Sequence, residues 1–112
     1  MLGLWYGIGE DDYQTGRPEQ YQASWTDFIS QIRTLVGNPN FPIFYGTISI
    51  NVGPPIYNTV VRDAQLNTAA GDANLYCRDN DDLTLGSDGV HFDATSQITF
   101  GQWVRQTYLD NY

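Results

Sequence analysis

Apolar positions along the chain follow two rhythms. Leu2 to Ile8 is a short apolar and aromatic run that ends in Gly7-Ile8-Gly9-Glu10-Asp11-Asp12, which predicts a buried strand entering a glycine-rich, acidic loop. From Pro18 the rhythm lengthens. Tyr21, Trp25, Phe28, Ile29, Ile32, Leu35 and Val36 share one face of a 3.6-residue period, and Gly37 followed by Pro39 ends it. This spacing predicts a helix over Pro18 to Val36, with Trp25 and Phe28 as core side chains. Phe41 to Ile50 is nearly continuous in apolar and β-favouring residues, as in a strand buried on both faces of a parallel sheet, and Asn51 to Pro55 form the loop after it.

The helical period returns over Ile56 to Ala70, with Tyr57, Val60, Val61, Ala64 and Thr68 on one side and Gly71 as the cap. Asn74 to Arg78 reads as a third strand and Asp79-Asn80-Asp81-Asp82 as an acidic loop. Asp93 is placed to cap a last helix from Ala94 to Leu109. Strand and helix alternate throughout, which predicts an α/β layered sheet in one domain. The strands at Leu2 to Ile8 and Phe41 to Ile50 are then expected to be adjacent and parallel, joined by a right-handed crossover through the first helix.

Composition narrows the partners. The 112 residues hold 13 acidic side chains against 5 basic ones, all arginine, for a net charge of -8. This argues against binding a phosphate backbone and against adhesion to an anionic membrane surface. No run is long enough to span a bilayer, and the first residues lack the basic flank of a signal peptide. The one cysteine, Cys77 within Leu75-Tyr76-Cys77, reads as a small buried strand residue rather than a reactive thiol.

Candidate chemistry is concentrated in Ser87-Asp88-Gly89-Val90-His91-Phe92-Asp93, which holds the only histidine. An Asp-x-x-His turn can aim a carboxylate at one imidazole nitrogen and leave the other to take a proton from a nucleophile, two-thirds of a hydrolytic triad. The same residues also read as a surface β-turn with His91 bonded to a backbone carbonyl. No serine sits in a glycine-containing turn at a strand end, and Ser87, adjoining Asp88, reads as a turn residue. Glu10 with Asp88 offers an alternative carboxylate pair of glycosidase type, while both also read as ordinary loop acids. Asp79, Asp81 and Asp82 hint at calcium, but Leu83 stands where an EF-hand loop needs an oxygen ligand, so they read as a solvated acidic turn.

Several blocks occur together in an order that resembles the SGNH hydrolases. These are Trp5-Tyr6-Gly7-Ile8-Gly9-Glu10-Asp11-Asp12, the helix holding Tyr21, Trp25 and Arg33, then Phe41-Pro42-Ile43, Arg62-Asp63-Ala64-Gln65 and Asp88-Gly89-Val90-His91-Phe92. The sequence is most similar to the sialate O-acetylesterase and acetyl xylan esterase branch, carbohydrate esterase family 6, and corresponds to the C-terminal half of that domain. The resemblance implies a three-layer α/β/α, flavodoxin-like parallel sheet and removal of acetyl groups from sugars through a serine nucleophile. It implies His91 as general base, Asp88 as its orienting carboxylate, and Gly9 and Glu10 as part of a supporting Gln-Gly-Glu loop, with no metal and no cofactor. Two departures stand out. Ile8, which has no side-chain donor, occupies the position of that loop's oxyanion-hole glutamine, and the Gly-Asp-Ser block that carries the nucleophile lies upstream of anything present.

The expectation is therefore a single partial domain over residues 1–112, derived from a serine carboxylic-ester hydrolase and inactive alone. It would supply the His91 and Asp88 part of the triad to an acetylated carbohydrate, in a secreted or periplasmic setting by family resemblance. The strand at Leu2 to Ile8 is expected to present an unpaired edge open to self-association. The rival expectation is a non-catalytic domain that binds carbohydrate through aromatics such as Trp5, Tyr6 or Trp103, or that serves a larger assembly structurally.

Overall fold

The computed structural model describes residues 3–6 and 18–112. Three strands, β1 (Leu4–Tyr6), β2 (Ile43–Gly46) and β3 (Leu75–Arg78), form one sheet in the order β1-β2-β3, and both pairings are parallel. The connections carry helices α1 (Tyr21–Val36) and α2 (Pro55–Ala70), and α3 (Ala94–Asn111) follows β3.

Strand side chains alternate between faces, and the alternation makes three layers. Ile43 and Tyr45 of β2 and Leu75 of β3 point into a core closed by Tyr21, Trp25 and Ile29 of α1 and by Val61 and Ala64 of α2. Phe44 and Tyr76 point the other way and stack at 4.9 Å, with Phe44 6.1 Å from the ring of Tyr108 and Tyr76 6.2 Å from that of Tyr112, both at the C-terminal end of α3. Trp25 lies in the core as its spacing predicts, stacked on Phe28 at 5.5 Å and edge-on to Tyr45 at 4.8 Å.

Element bounds differ from the sequence reading for local reasons. Pro18–Gln20 forms a 3-10 turn and the α-helix starts at Tyr21. The buried stripe of α1 is the i+4 row Tyr21, Trp25, Ile29, and Arg33 takes its next position, which leaves Leu35 82% exposed and Val36 exposed. Gly37 then closes the helix at φ 68°, with its N–H on Thr34 O and that of Asn38 on Arg33 O, a double-bonded left-handed cap. The apolar run 41–50 is buried from Pro42 to Ser49 but pairs as a strand only over Ile43–Gly46. Beyond Thr47 its amides turn to side chains and loop carbonyls, since Ile48 N–H goes to Gln65 Oε1 and Val52 N–H to Ser49 O.

Helix α2 shows the largest departure. Tyr57 and Val60, read as its packing face, are exposed, and the buried face is Asn58, Val61, Arg62, Ala64 and Gln65. Asn58, Val61, Arg62 and Gln65 still keep the i, i+3, i+4, i+7 spacing, but three of those four are polar. At the opposite end of the sheet, Arg33 grips Asp72 with two N–H donors at 2.5 and 3.3 Å and gives its Nε–H to Phe41 O at 3.1 Å. Hydrogen bonding to Arg33 holds the Asp72 carboxyl below its ordinary pKa.

Candidate functional site

Because the strands are parallel, the segments that follow Tyr6, Gly46 and Arg78 all leave from one edge of the sheet. The first of them, with Ile8, Gly9 and Glu10, lies outside the described residues. The supporting-loop role and the Glu10–Asp88 carboxylate pair fall there too.

The second, Thr47 to Val52, is fixed from behind by buried amides. Asn58 Nδ2 donates to Ser49 O at 2.5 Å and to Val52 O at 2.8 Å. Gln65 accepts Ile48 N–H at 2.9 Å, donates to Tyr21 Oη at 3.2 Å, and its backbone carbonyl takes the Tyr45 hydroxyl at 2.7 Å. Asn80 reaches across from the end of β3, giving its backbone N–H to Thr47 Oγ1 at 2.9 Å and its side-chain N–H to Thr47 O at 3.0 Å. That amide lies against Gly46, where a Cβ would run into Nδ2 and stand 3.0 Å from Cγ. Gly46 is thus a close-approach glycine.

The third segment carries the Asp88–His91 pair on a short hairpin closed by an antiparallel bridge between Leu85 and Phe92. Its tip is a four-residue turn in which Gly89 N–H bonds Gly86 O at 3.1 Å, Ser87 is the second residue, and Gly89 holds φ 69°. Asp88 works with both oxygens. Oδ1 accepts the backbone N–H of Val90 at 2.9 Å and of His91 at 3.0 Å, and Oδ2 lies 2.7 Å from His91 Nδ1. These bonds, the Val90 amide first and the imidazole next, pull the Asp88 carboxyl down to about 2. Asp88 is therefore an anion at neutral pH. A carboxylate opposite Nδ1 makes that nitrogen the N–H donor and leaves Nε2 as the basic nitrogen of the neutral ring.

The remaining chemistry-bearing residues have structural occupations. Asp79 and Asp81, read as a solvated acidic turn, both accept from Arg62 Nη2, while Asp82 takes a two-pronged bond from Arg78 at 2.6 and 2.8 Å. All three carboxylates are exposed, as a solvated acidic turn implies, and two arginines, from α2 and β3, converge on it. Cys77 packs against the core, and burial, with Asp79 adding to it, pushes its thiol up to about 12. Ser49 Oγ accepts Asn51 N–H, Ser96 Oγ accepts Thr84 N–H, and Ser24 and Ser30 sit on the exposed side of α1. Trp103 is partly buried and stacked on Phe100 at 5.7 Å. No described helix is long and apolar enough to cross a membrane.

The sequence reading gave no role to Asn58, Asn80, Thr84 or Ser96, and met Gln65 only inside a motif. Asn58 and Gln65 recur at helical spacing on α2, but beside the face where apolar residues were sought, so as polar residues they gave no packing signal.

A parallel sheet between two helical layers, with an Asp-x-x-His turn behind its last strand, is the architecture of the SGNH-type hydrolases that the motifs resemble. The comparisons define the family within it. A family model described as carbohydrate esterase, sialic acid-specific acetylesterase, matches residues 3–110, and the chain belongs to this family. It is 30% identical over 109 residues to a probable carbohydrate esterase of Arabidopsis thaliana, At4g34215, covering 97% of this chain and 40% of that protein. The X-ray structure of the Arabidopsis AT4G34215 protein superposes with a TM-score of 0.85 at 29% identity, covering 98% of this chain and 44% of that one. The chain thus spans less than half the length of the relatives it matches.

Proposed function

We propose that this chain supplies the base half of a serine-esterase site that removes acetyl groups from carbohydrate, with His91 as general base and Asp88 as its orienting carboxylate. The observation that carries the reading is the 2.7 Å contact between Asp88 Oδ2 and His91 Nδ1, made by a carboxylate whose other oxygen is locked on two backbone amides. In the proposed reaction Nε2 takes the serine proton as the hydroxyl attacks the acetyl carbonyl and returns it to the departing sugar oxygen. Water then hydrolyses the acetyl-serine with the same base. Asp88 stays ionised throughout and stabilises the imidazolium.

The nucleophile in this proposal comes from polypeptide beyond these 112 residues, and the chain is a partial domain. Two observations support it. Among the described residues β1 pairs only with β2, so its outer edge is open to a further parallel strand. Beside that edge a groove of about 280 Å³, lined by Leu4, Phe44, Val104, Tyr108 and Leu109, runs beneath α3. The same edge is the proposed route to self-association of the isolated chain.

The test is a chimaera in which the unmatched part of the Arabidopsis relative is joined to this chain, assayed for acetate release from an acetylated sugar. His91→Ala should lower kcat on the order of 10⁶-fold and Asp88→Asn about 10⁴-fold, with KM little changed. The unfused chain should give no turnover above its His91→Ala variant. A folded, active chimaera indifferent to His91→Ala would overturn the reading.

A further inference from the structure

We propose that Asp93, acting with Thr84 and Ser96, is the positioning residue of the Asp88–His91 pair, fixing the hairpin that carries it onto the start of helix α3. The proposal rests on the reading of Asp88 and His91 as the orienting acid and base.

The need for such a device follows from exposure. The His91 and Asp88 side chains are 68% and 52% exposed, so packing supplies little of what holds the imidazole in place. Between Leu85 and Phe92 the hairpin has a single bridge, supported by the Gly86 N–H to His91 O bond at 2.8 Å. Its aim is therefore set at its base.

There the three residues close a ring of bonds. Asp93 N–H donates to Thr84 O at 3.0 Å, which ties the two ends of the hairpin together. Thr84 N–H donates to Ser96 Oγ at 2.9 Å, and the two hydroxyls lie 3.2 Å apart. Thr84 Oγ1–H donates to Asp93 Oδ2, while Asp93 Oδ1 accepts the Ser96 backbone N–H at 2.8 Å. One donor assignment satisfies every contact: the Ser96 hydroxyl gives to Thr84 Oγ1, and Thr84 gives to the carboxylate. Ser96 is 5% exposed and Phe100, one turn further along α3, is 7% exposed, so the helical side of the ring is anchored in the interior. Asp93 is at once the cap of α3 and the cross-brace of the hairpin, two residues from the imidazole.

Cap and brace can be separated. The bond from Ser96 backbone N–H to Asp93 depends on neither hydroxyl, so Thr84→Val with Ser96→Ala removes the side-chain links between the hairpin base and α3 while leaving the helix cap and the Asp93 N–H to Thr84 O bond in place. His91 is the only histidine, so the ring ¹⁵N signals of the 112-residue chain report on it alone. In the unsubstituted chain they should show one tautomer, protonated at Nδ1, with the Asp88 carboxyl carbon titrating near 2. In Thr84→Val/Ser96→Ala the single-tautomer pattern should be lost and the Asp88 midpoint should rise toward 3.8, with far-UV circular dichroism unchanged. Ser96→Thr alone, which keeps the hydroxyl, should retain both. If the double variant does not fold, the near-isosteric single variants carry the same readout. A folded double variant, or two folded single variants, with tautomer and midpoint unchanged would overturn the proposal. A different failure marks the underlying reading: an unsubstituted chain whose imidazole pattern does not respond to Asp88→Asn has no working Asp88–His91 pair.

Discussion

Behind β2 the chain passes through Thr47 to Val52 under neutral amides that are out of water: Asn58, Gln65 and Asn80 are 1%, 0% and 2% exposed. Behind β3 the hairpin from Thr84 to Asp93 stands in solvent and is held by two carboxylates, Asp88 at its tip and Asp93 at its base. Both segments leave the same edge of the sheet, yet the means are opposite. A buried amide cannot be titrated or screened, and removing it strands its partners in the interior at the full cost of desolvation. An exposed carboxylate adds little to stability but is directional, and it ties the geometry it enforces to its own ionisation. The inner loop is built to be permanent and the outer hairpin to be aimed.

The comparison breaks most forcefully at Gln65. Gln65→Leu keeps the volume but strands the buried Ile48 amide and removes the bond to the Tyr21 hydroxyl, for an expected loss of about 2–4 kcal/mol in urea unfolding. The Asp88–His91 contact, on the outer hairpin, should survive wherever the variant folds. A loss below about 0.5 kcal/mol would mean that water replaces the amide and that the inner loop is not sealed.

Gly46→Ala tests the same region from the strand side. The added methyl meets the Asn80 side-chain amide, which its own bond to Thr47 O and the Asn80 backbone N–H bond to Thr47 Oγ1 hold against retreat, so about 1–3 kcal/mol should be lost. Gly37, with nothing within 4 Å of its would-be Cβ but φ 68°, should lose less on the same change, through backbone strain alone.

These sites also show what a single sequence reveals. Parallel order, the first helix and the Asp93 cap were legible because each has a signature in one segment: the apolar run from Phe41 to Ile50, the Tyr21-Trp25-Ile29 row, and Asp93 before an unbroken helical stretch, whereas the three layers were implied by the family resemblance. The Asp88–His91 contact was legible because its partners are three positions apart. The working face of α2 was hidden, because Asn58, Arg62 and Gln65 look like solvent-facing residues until the loop amides and Asp79 and Asp81 they serve are brought in from 6 to 19 positions away. The Thr84–Ser96 ring was hidden for the same reason, since the partners are 12 apart and bond through groups that every serine and threonine carries. Strand length was over-read because apolar burial and ladder pairing, which coincide at Tyr45, separate after Gly46.

Acid should reach the outer hairpin while sparing the inner loop. Asp72, Asp82, Asp88 and Asp93 all have carboxyls lowered by their partners. A carboxyl depressed in the folded state contributes stability that is present above its unfolded value of 3.8 and is lost as pH falls through the folded one. Stability should thus be flat above about pH 5 and fall between about pH 4 and 2. Asp72→Asn, which takes the anion from a largely buried Arg33, should remove part of that slope and about 1–2 kcal/mol at neutral pH. An unchanged slope would assign the acid sensitivity to the other three.

The smallest expected effect on stability is also the most specific. In Asp88→Asn the amide oxygen can still accept the Val90 and His91 N–H groups, and asparagine suits this turn as well as aspartate does, so the midpoint of thermal unfolding should fall only slightly, by the share of the carboxylate's stabilisation that an uncharged acceptor does not keep. What changes is the second position. An NH₂ group now faces His91 Nδ1 where Oδ2 stood, and a donor there requires Nδ1 to accept, which moves the ring proton to Nε2. The ¹⁵N pattern of His91 should therefore invert, with the basic nitrogen turned from the position a serine proton would enter to the one the introduced amide covers. In a complete site that inversion removes the base while every backbone bond of the hairpin stays, which separates orientation from stability at one atom. An imidazole that kept its Nδ1 proton beside asparagine would show that something other than this carboxylate sets the tautomer.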